Sequence, residues 1–96
     1  MVGFLMGNNA SSENNKHSFI PEQGFVPDEN TAIKIAEAVW LPIYGDSIYN
    51  KKPFVASLKD GVWVVQGSLS KHLLGGVPVA EISKENGAVL RVSHGK

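Results

Sequence analysis

Histidines and serines are the residues of this 96-residue chain whose types most readily suggest chemistry. His17, His72 and His94 are far apart in the sequence, and none has a partner at the spacing of metal ligands, so the pattern does not predict a metal site. Ser68 and Ser70 lie close to His72, but neither serine sits in a nucleophile-elbow motif. We therefore interpret the three histidines as solvated or capping residues.

Carboxylates and glycines give equally little support to catalysis. Glu37 and Asp46 could form a carboxylate pair, but Glu37 lies three residues from Lys34 on a polar helix face, and Asp46 follows a turn glycine. Gly75-Gly76 lacks the lysine and following helix of a phosphate-binding loop. The sequence predicts no catalytic residue, no metal and no cofactor.

The composition argues against a highly charged polymer as a partner. Nine lysines and arginines balance nine aspartates and glutamates, so no net field attracts nucleic acid or an anionic membrane. No stretch approaches the roughly 20 apolar residues that span a bilayer, which argues against membrane insertion. The absence of cysteine fits a reducing cytoplasm and does not exclude a periplasm.

The N-terminal region is predicted to be a flexible lead-in, residues 1–23, before a single domain, residues 24–96. Residues 7–23 are rich in Asn and Ser, and only Phe19 and Ile20 are expected to dock on the domain. The apolar start, residues 2–6, is too short for the core of a signal peptide. A trimmed leader or an added expression segment would explain it.

One amphipathic helix is predicted over residues 28–44. Asp28 is placed to cap its first free N–H groups, and Gly45 supplies the stop. Pro42 cannot donate to Ala38, so we expect a kink there or an end near Leu41. A stripe of apolar residues recurs at three- and four-residue steps and should face a sheet. Its members are Ala32, Ile35, Ala36, Val39, Trp40 and Ile43.

Two hairpins follow the helix and supply four strands. In the first, residues 54–58 meet residues 62–69 across Asp60-Gly61, and the two-residue turn sets Leu58 opposite Trp63, Ala56 opposite Val65 and Phe54 opposite Gly67. Trp63 is the predicted centre of the core. In the second, a three-residue loop, residues 85–87, pairs Ile82 with Leu90, Ala80 with Val92 and Glu81 with Arg91. The sequence thus predicts an α+β domain, one helix on an antiparallel sheet.

Between the hairpins lies a loop, residues 70–76, with two adjacent leucines and two adjacent glycines. Apolar side chains beside flexible backbone can mark a contact surface, but loops also tuck leucines under a sheet edge. We favour the tucked position for Leu73 or Leu74.

Several segments, taken in order, resemble the NTF2-fold immunity protein family of bacterial polymorphic toxin systems. They are the VPD entry to an alanine-rich helix, the Pro42-Ile43-Tyr44-Gly45 exit, the strand at residues 61–65, the turn at residues 75–78 and the terminal His94-Gly95-Lys96. The resemblance covers residues 24–96 and implies a shortened cystatin-like or NTF2-like fold. It also implies a function: binding and neutralising a cognate toxin without turnover.

The toxin-binding surface is predicted where polar or flexible groups are not needed by the core. These residues are Lys71, His72, Leu73, Gly75, Gly76, His94 and Lys96. An edge strand could instead pair with the partner or with a second copy to form a homodimer.

Two other interpretations remain open. The helix-then-strands order is also similar to PepSY-type modules, which regulate proteases in bacterial envelopes. Alternatively, the concave sheet face could hold a ligand or an active site, as in small NTF2-like enzymes.

Overall fold

The computed structural model describes residues 18–69 and 75–95. The helix α1 (Glu29–Tyr44) is followed by a 3-10 helix (Asp46–Lys51) and by four strands. The strands are β1 (Val55–Lys59), β2 (Val62–Gln66), β3 (Pro78–Ser83) and β4 (Val89–His94). They form one antiparallel sheet in the order β1-β2-β3-β4. The predicted α+β architecture, one main helix packed on a four-stranded antiparallel sheet, is therefore confirmed.

The ends of α1 follow the sequence signals. The Asp28 carboxylate accepts from the Thr31 backbone N–H at 2.8 Å and from its hydroxyl at 2.6 Å. The Gly45 N–H donates to the Leu41 carbonyl at 2.9 Å and closes the helix. The alternative end near Leu41 is wrong, because α1 continues through Pro42 to Tyr44. Pro42 itself is exposed, and its ring nitrogen cannot donate to the Ala38 carbonyl.

The apolar stripe of α1 is buried along only part of its length. Ala32, Ala36 and Trp40 are fully buried, as the pattern predicted. Ile43 is 57% exposed, contrary to the prediction. Ile48 of the 3-10 helix, which is 1% exposed, supplies the buried isoleucine at this end of the core instead. Small alanines at the contact allow the helix to approach the sheet closely.

The first hairpin has the predicted register. Ala56 pairs with Val65 and Leu58 with Trp63, across a turn in which Asp60 and Gly61 have φ of 51° and 77°. Positive φ at both positions matches the twist of the flanking strands. Leu58 is nevertheless 47% exposed, because it lies on the edge strand beside the turn.

Two tryptophans organise the core. Trp63 is 6% exposed, which confirms its predicted burial, and its Nε1–H donates to the Val26 carbonyl at 2.7 Å. Trp40 is fully buried and is the larger contributor to the centre of the core. Its ring meets Phe54 edge-to-face at 5.2 Å, and its Nε1–H donates to the Val79 carbonyl at 3.3 Å. Both indole N–H groups are thus satisfied by backbone carbonyls.

The second hairpin has the predicted register only at its open end. Ala80 pairs with Val92 and Glu81 with Arg91, and an ion pair of 3.1 Å joins the last two. Ile82 pairs with Val89, however, so the predicted pairing with Leu90 is wrong. A β-bulge between these pairs leaves Leu90 as the extra residue.

The backbone of Lys84 explains the bulge. The predicted register would pair Lys84 with Ala88, but the Lys84 N–H donates to Gly61 and its carbonyl accepts from Val26. The Ser83 N–H therefore closes the hairpin by donating to Ala88 at 2.8 Å. Residues 84–87 form the loop, one residue longer than predicted, and Gly87 has the predicted positive φ, 78°.

The antiparallel order gives the sheet two distinct ends. The hairpin end carries the turns at residues 60–61 and 84–87, and residues 24–26 bond to the second turn. The opposite end carries the start of β3, the end of β4 and the last turn of α1, and we call it the Tyr44–His94 end. Phe19 and Ile20, expected to dock, are 79% and 72% exposed. Most of the predicted lead-in, and the loop containing Leu73 and Leu74, lie outside the described residues.

Candidate functional site

The Tyr44–His94 end brings together residues from three elements. The Tyr44 and His94 rings pack edge-to-face with centroids 5.0 Å apart. The Gly95 N–H donates to the Val77 carbonyl at 3.2 Å, which extends the pairing of β3 and β4 past His94. A Cβ on Gly95 would contact the Cα of Gly76 at 4.0 Å, so the two backbones lie side by side. The histidine is thus held at a defined position on the surface.

His94 is exposed and has one ring nitrogen within bonding distance of the backbone. Its Nδ1 lies 3.0 Å from the Gly95 carbonyl oxygen. In the tautomer that donates this bond, Nε2 is left as an acceptor. A surface imidazole that is oriented by an aromatic neighbour and the backbone can accept a hydrogen bond from a donor group on a partner.

The predicted site residues are only partly covered by the structure. Gly76 and His94 come together at this end, and Gly75 precedes Gly76 on the same exposed segment. Lys71, His72, Leu73 and Lys96 lie outside the described residues.

Sequence reasoning missed the aromatic and basic residues that the 3-10 helix adds to this end. Tyr49 is 38% exposed, its ring tilts against Phe54 at 6.4 Å, and the Lys52 Nζ lies 4.8 Å from the Tyr49 centroid. A cation over a tyrosine face is weakly attractive at an exposed site. The available signal was a short run of aromatic and basic residues that begins four residues after the helix stop at Gly45: Tyr49, Asn50, Lys51 and Lys52.

Tyr49 is also the tyrosine with a perturbed ionisation. Desolvation of its hydroxyl raises the pKa of Tyr49 above its ordinary value, and the hydrogen bond and charge of Glu37, with the charge of Asp46, act in the same direction. Tyrosines are enriched in interface cores.

The described residues show a purely apolar interior. None of their polar or charged side chains is buried, and none of their buried side-chain polar atoms lacks a partner. Within residues 18–69 and 75–95, no group of three His, Asp or Glu residues is placed to hold a metal ion. No helix in these ranges is long and apolar enough to cross a membrane.

One main helix packed on an open four-stranded antiparallel sheet defines a small α+β module. The family model described as "NTF2 fold immunity protein" matches residues 31–96, most of the chain. The chain therefore belongs to the NTF2 fold immunity protein family, as the sequence resemblance predicted. Membership supports a role in immunity for this protein.

Two relatives from Escherichia coli K12 also match the chain. The uncharacterized protein YbbC is 38% identical over 73 residues, which cover 74% of this chain and 60% of the relative. The uncharacterized protein YhhH is 33% identical over 76 residues, covering 77% of this chain and 60% of the relative. The chain thus spans about 60% of the length of these curated relatives. No solved structure gives a significant match.

Proposed function

We propose that this protein neutralises a cognate toxin by binding it, without catalysing a reaction. The family match over residues 31–96 is the observation that carries this proposal.

The Tyr44–His94 end is the proposed toxin-binding surface. The proposal covers Lys71, His72, Leu73, Gly75, Gly76, His94 and Lys96. Its support from the described residues is the exposed His94 imidazole, which packs against Tyr44, and the close approach of the Gly76 and Gly95 backbones beside it. Exposed apolar side chains on neighbouring elements, Ile43 at 57% and Leu69 at 48%, add area that a partner can bury.

The first experiment identifies the partner. The full chain, tagged at its N-terminus to leave the C-terminal residues free, is used for a pull-down from the native host with mass spectrometry. Recovery of one large toxin is expected. Recovery of an envelope protease would instead favour the PepSY-type function, and recovery of no protein partner would contradict the proposal.

The second experiment tests the surface. His94→Glu combined with Lys96→Glu should abolish protection of cells that express the recovered toxin. The matched control is Lys34→Glu, a charge reversal on the exposed face of α1. All variants should melt within about 2–4 °C of the parent, because surface substitutions change the free energy of unfolding by about 0.5 kcal/mol or less. Full protection by the double variant would refute the proposed surface.

Dimerisation through an edge strand stays a prediction. Both β1 and β4 lie at sheet edges. In the ladder set by the Gly95–Val77 bond, Val92 and His94 direct their backbone N–H and C=O groups away from β3. Such groups can pair with another strand. Sedimentation equilibrium at several concentrations distinguishes a dimer from a monomer.

A further inference from the structure

An open pocket with a volume of about 770 Å³ lies at the hairpin end, opposite the Tyr44–His94 end. Its walls come from residues 20–24, from the first hairpin turn and from the second hairpin with its loop. Ile20, Val62 and Leu90 contribute apolar surface. A pocket of this size can receive more than one side chain of a partner.

Backbone hydrogen bonds hold the pocket walls together. The Phe25 N–H donates to the backbone carbonyl of Glu85, and the Val26 N–H donates to the backbone carbonyl of Lys84, both at 3.0 Å. The Lys84 N–H in turn donates to Gly61 at 2.9 Å, which joins the two turns. The Lys84 ammonium donates to the Gln23 carbonyl. The pocket is therefore formed before any partner arrives, which lowers the entropic cost of binding.

The bulge in β4 explains the apolar surface. Leu90 is the extra residue at the register shift, and it lines the pocket while remaining 54% exposed. Ile20 faces the same pocket and is 72% exposed. Bulges commonly redirect one side chain away from the regular face of a sheet. Both side chains would lose water contact if an apolar residue entered between them.

The pocket carries a net negative charge. Glu22, Asp60 and Glu85 line it, against the single ammonium of Lys84. In the part of the chain that the structure describes, the ion pair is Arg91 with Glu81, so the three pocket carboxylates have no cationic partner there. An acidic pocket repels phosphate groups and attracts an ammonium or guanidinium.

We propose that this pocket binds a segment of a partner protein in which a lysine or arginine adjoins a large apolar side chain. The charge selects the cation, and the apolar pair Ile20 and Leu90 selects the neighbouring residue. This surface lies at the other end of the sheet from the proposed toxin contact, so an experiment can refute either proposal without refuting the other.

A titration with defined peptides tests the proposal. The probe is acetyl-Gly-Leu-Lys-Leu-Gly-amide, added to the ¹⁵N-labelled full chain at low ionic strength and followed by two-dimensional NMR. The matched peptide has norleucine in place of lysine, which keeps the carbon chain and removes the charge. n-Butylammonium is the third ligand, a cation without the apolar neighbours.

The lysine peptide should shift the amide signals of Gly24, Gly61 and Asn86 and bind about fivefold more tightly than the norleucine peptide. Its affinity should fall as salt is raised, since exposed charge pairs are screened. Equal affinity of the two peptides, shifts confined to other residues, or equally tight binding of n-butylammonium would each overturn the proposal.

Charge-neutralised variants give a second readout. The combination Glu22→Gln, Asp60→Asn and Glu85→Gln should weaken lysine-peptide binding about fivefold. Asparagine tolerates the positive φ of 51° at position 60, so the turn is preserved. The control combines Glu29→Gln, Glu37→Gln and Asp46→Asn, which make the same charge change outside the pocket. Equal weakening by both combinations would refute a local role for the pocket carboxylates.

Discussion

Replacing Gly24 by alanine tests how residues 24–26 are attached to the sheet. Gly24 has φ of +87°, a conformation that L side chains rarely adopt. An added Cβ would also overlap the Lys84 carbonyl oxygen and lie 3.1 Å from the Lys84 carbonyl carbon and 3.2 Å from the Glu85 Cα. These neighbours are backbone atoms, so they cannot move aside as a flexible side chain can.

The expected loss has two parts. Placing a Cβ at positive φ costs about 1–2 kcal/mol. Relieving the overlap requires residues 24–26 to move away from the second hairpin, which breaks the Phe25–Glu85 and Val26–Lys84 hydrogen bonds at about 0.5–1.5 kcal/mol each. Gly24→Ala should therefore lower the free energy of unfolding by about 2–5 kcal/mol.

Gly61→Ala is the matched control. Gly61 has φ of +77°, close to that of Gly24, but nothing lies within 4 Å of an added Cβ. Its cost should be the conformational part alone, about 1–2 kcal/mol. Urea unfolding followed by tryptophan fluorescence measures both variants. A difference between them smaller than about 0.5 kcal/mol would refute the claim that the close approach at Gly24 stabilises the fold.

Two further predictions concern Trp63 and the helix cap. Trp63→Phe removes the donor to the Val26 carbonyl and should lower the free energy of unfolding by about 1–3 kcal/mol in urea titrations; an unchanged midpoint would contradict this. Hydrogen bonds from the Thr31 hydroxyl and backbone N–H lower the pKa of Asp28 below 3.8. The charged carboxylate therefore stabilises the fold above that pH. This stabilisation is lost as the pH falls through the lowered pKa of the folded state. Asn at position 28 is still a capping residue but carries no charge. The difference in free energy of unfolding between the parent and Asp28→Asn should therefore be constant above neutral pH and become smaller in acid. A difference that does not change with pH would refute the predicted contribution of the Asp28 charge.

The sequence predicted the elements whose signals are local. The Asp28 cap, the Gly45 stop and the Asp60-Gly61 turn each depend on a few neighbouring residues, and all three have the expected roles. The first hairpin register follows from a two-residue turn, which leaves no freedom in pairing. The resemblance of residues 24–96 to the immunity family was likewise readable from short segments in a fixed order, and the family match confirms it.

The errors occurred where a distant segment competes for the same atoms. Whether Ile82 pairs with Leu90 or Val89 depends on Lys84, whose backbone groups are used by Gly61 and Val26. Neither contact is visible in the pattern of the hairpin itself. Ile43 fits the apolar stripe of α1, yet Ile48 supplies the buried isoleucine at that end. Periodicity identifies an apolar face but not which of its residues a later element leaves in water.

At both candidate surfaces, some features were predicted from the sequence and others were decided only by the tertiary structure. The sequence alone determined that the chain is one α+β module without a recognisable catalytic motif, because cap, turn and periodicity signals are local. It also singled out Gly76 and His94, but not that Tyr44 would orient the histidine. Only the tertiary structure decided that contact, and only it placed residues 20–24 beside two hairpin turns to form an acidic pocket. Both arrangements join segments far apart in the sequence, and their geometry is decided by packing and shared hydrogen bonds that no local pattern records.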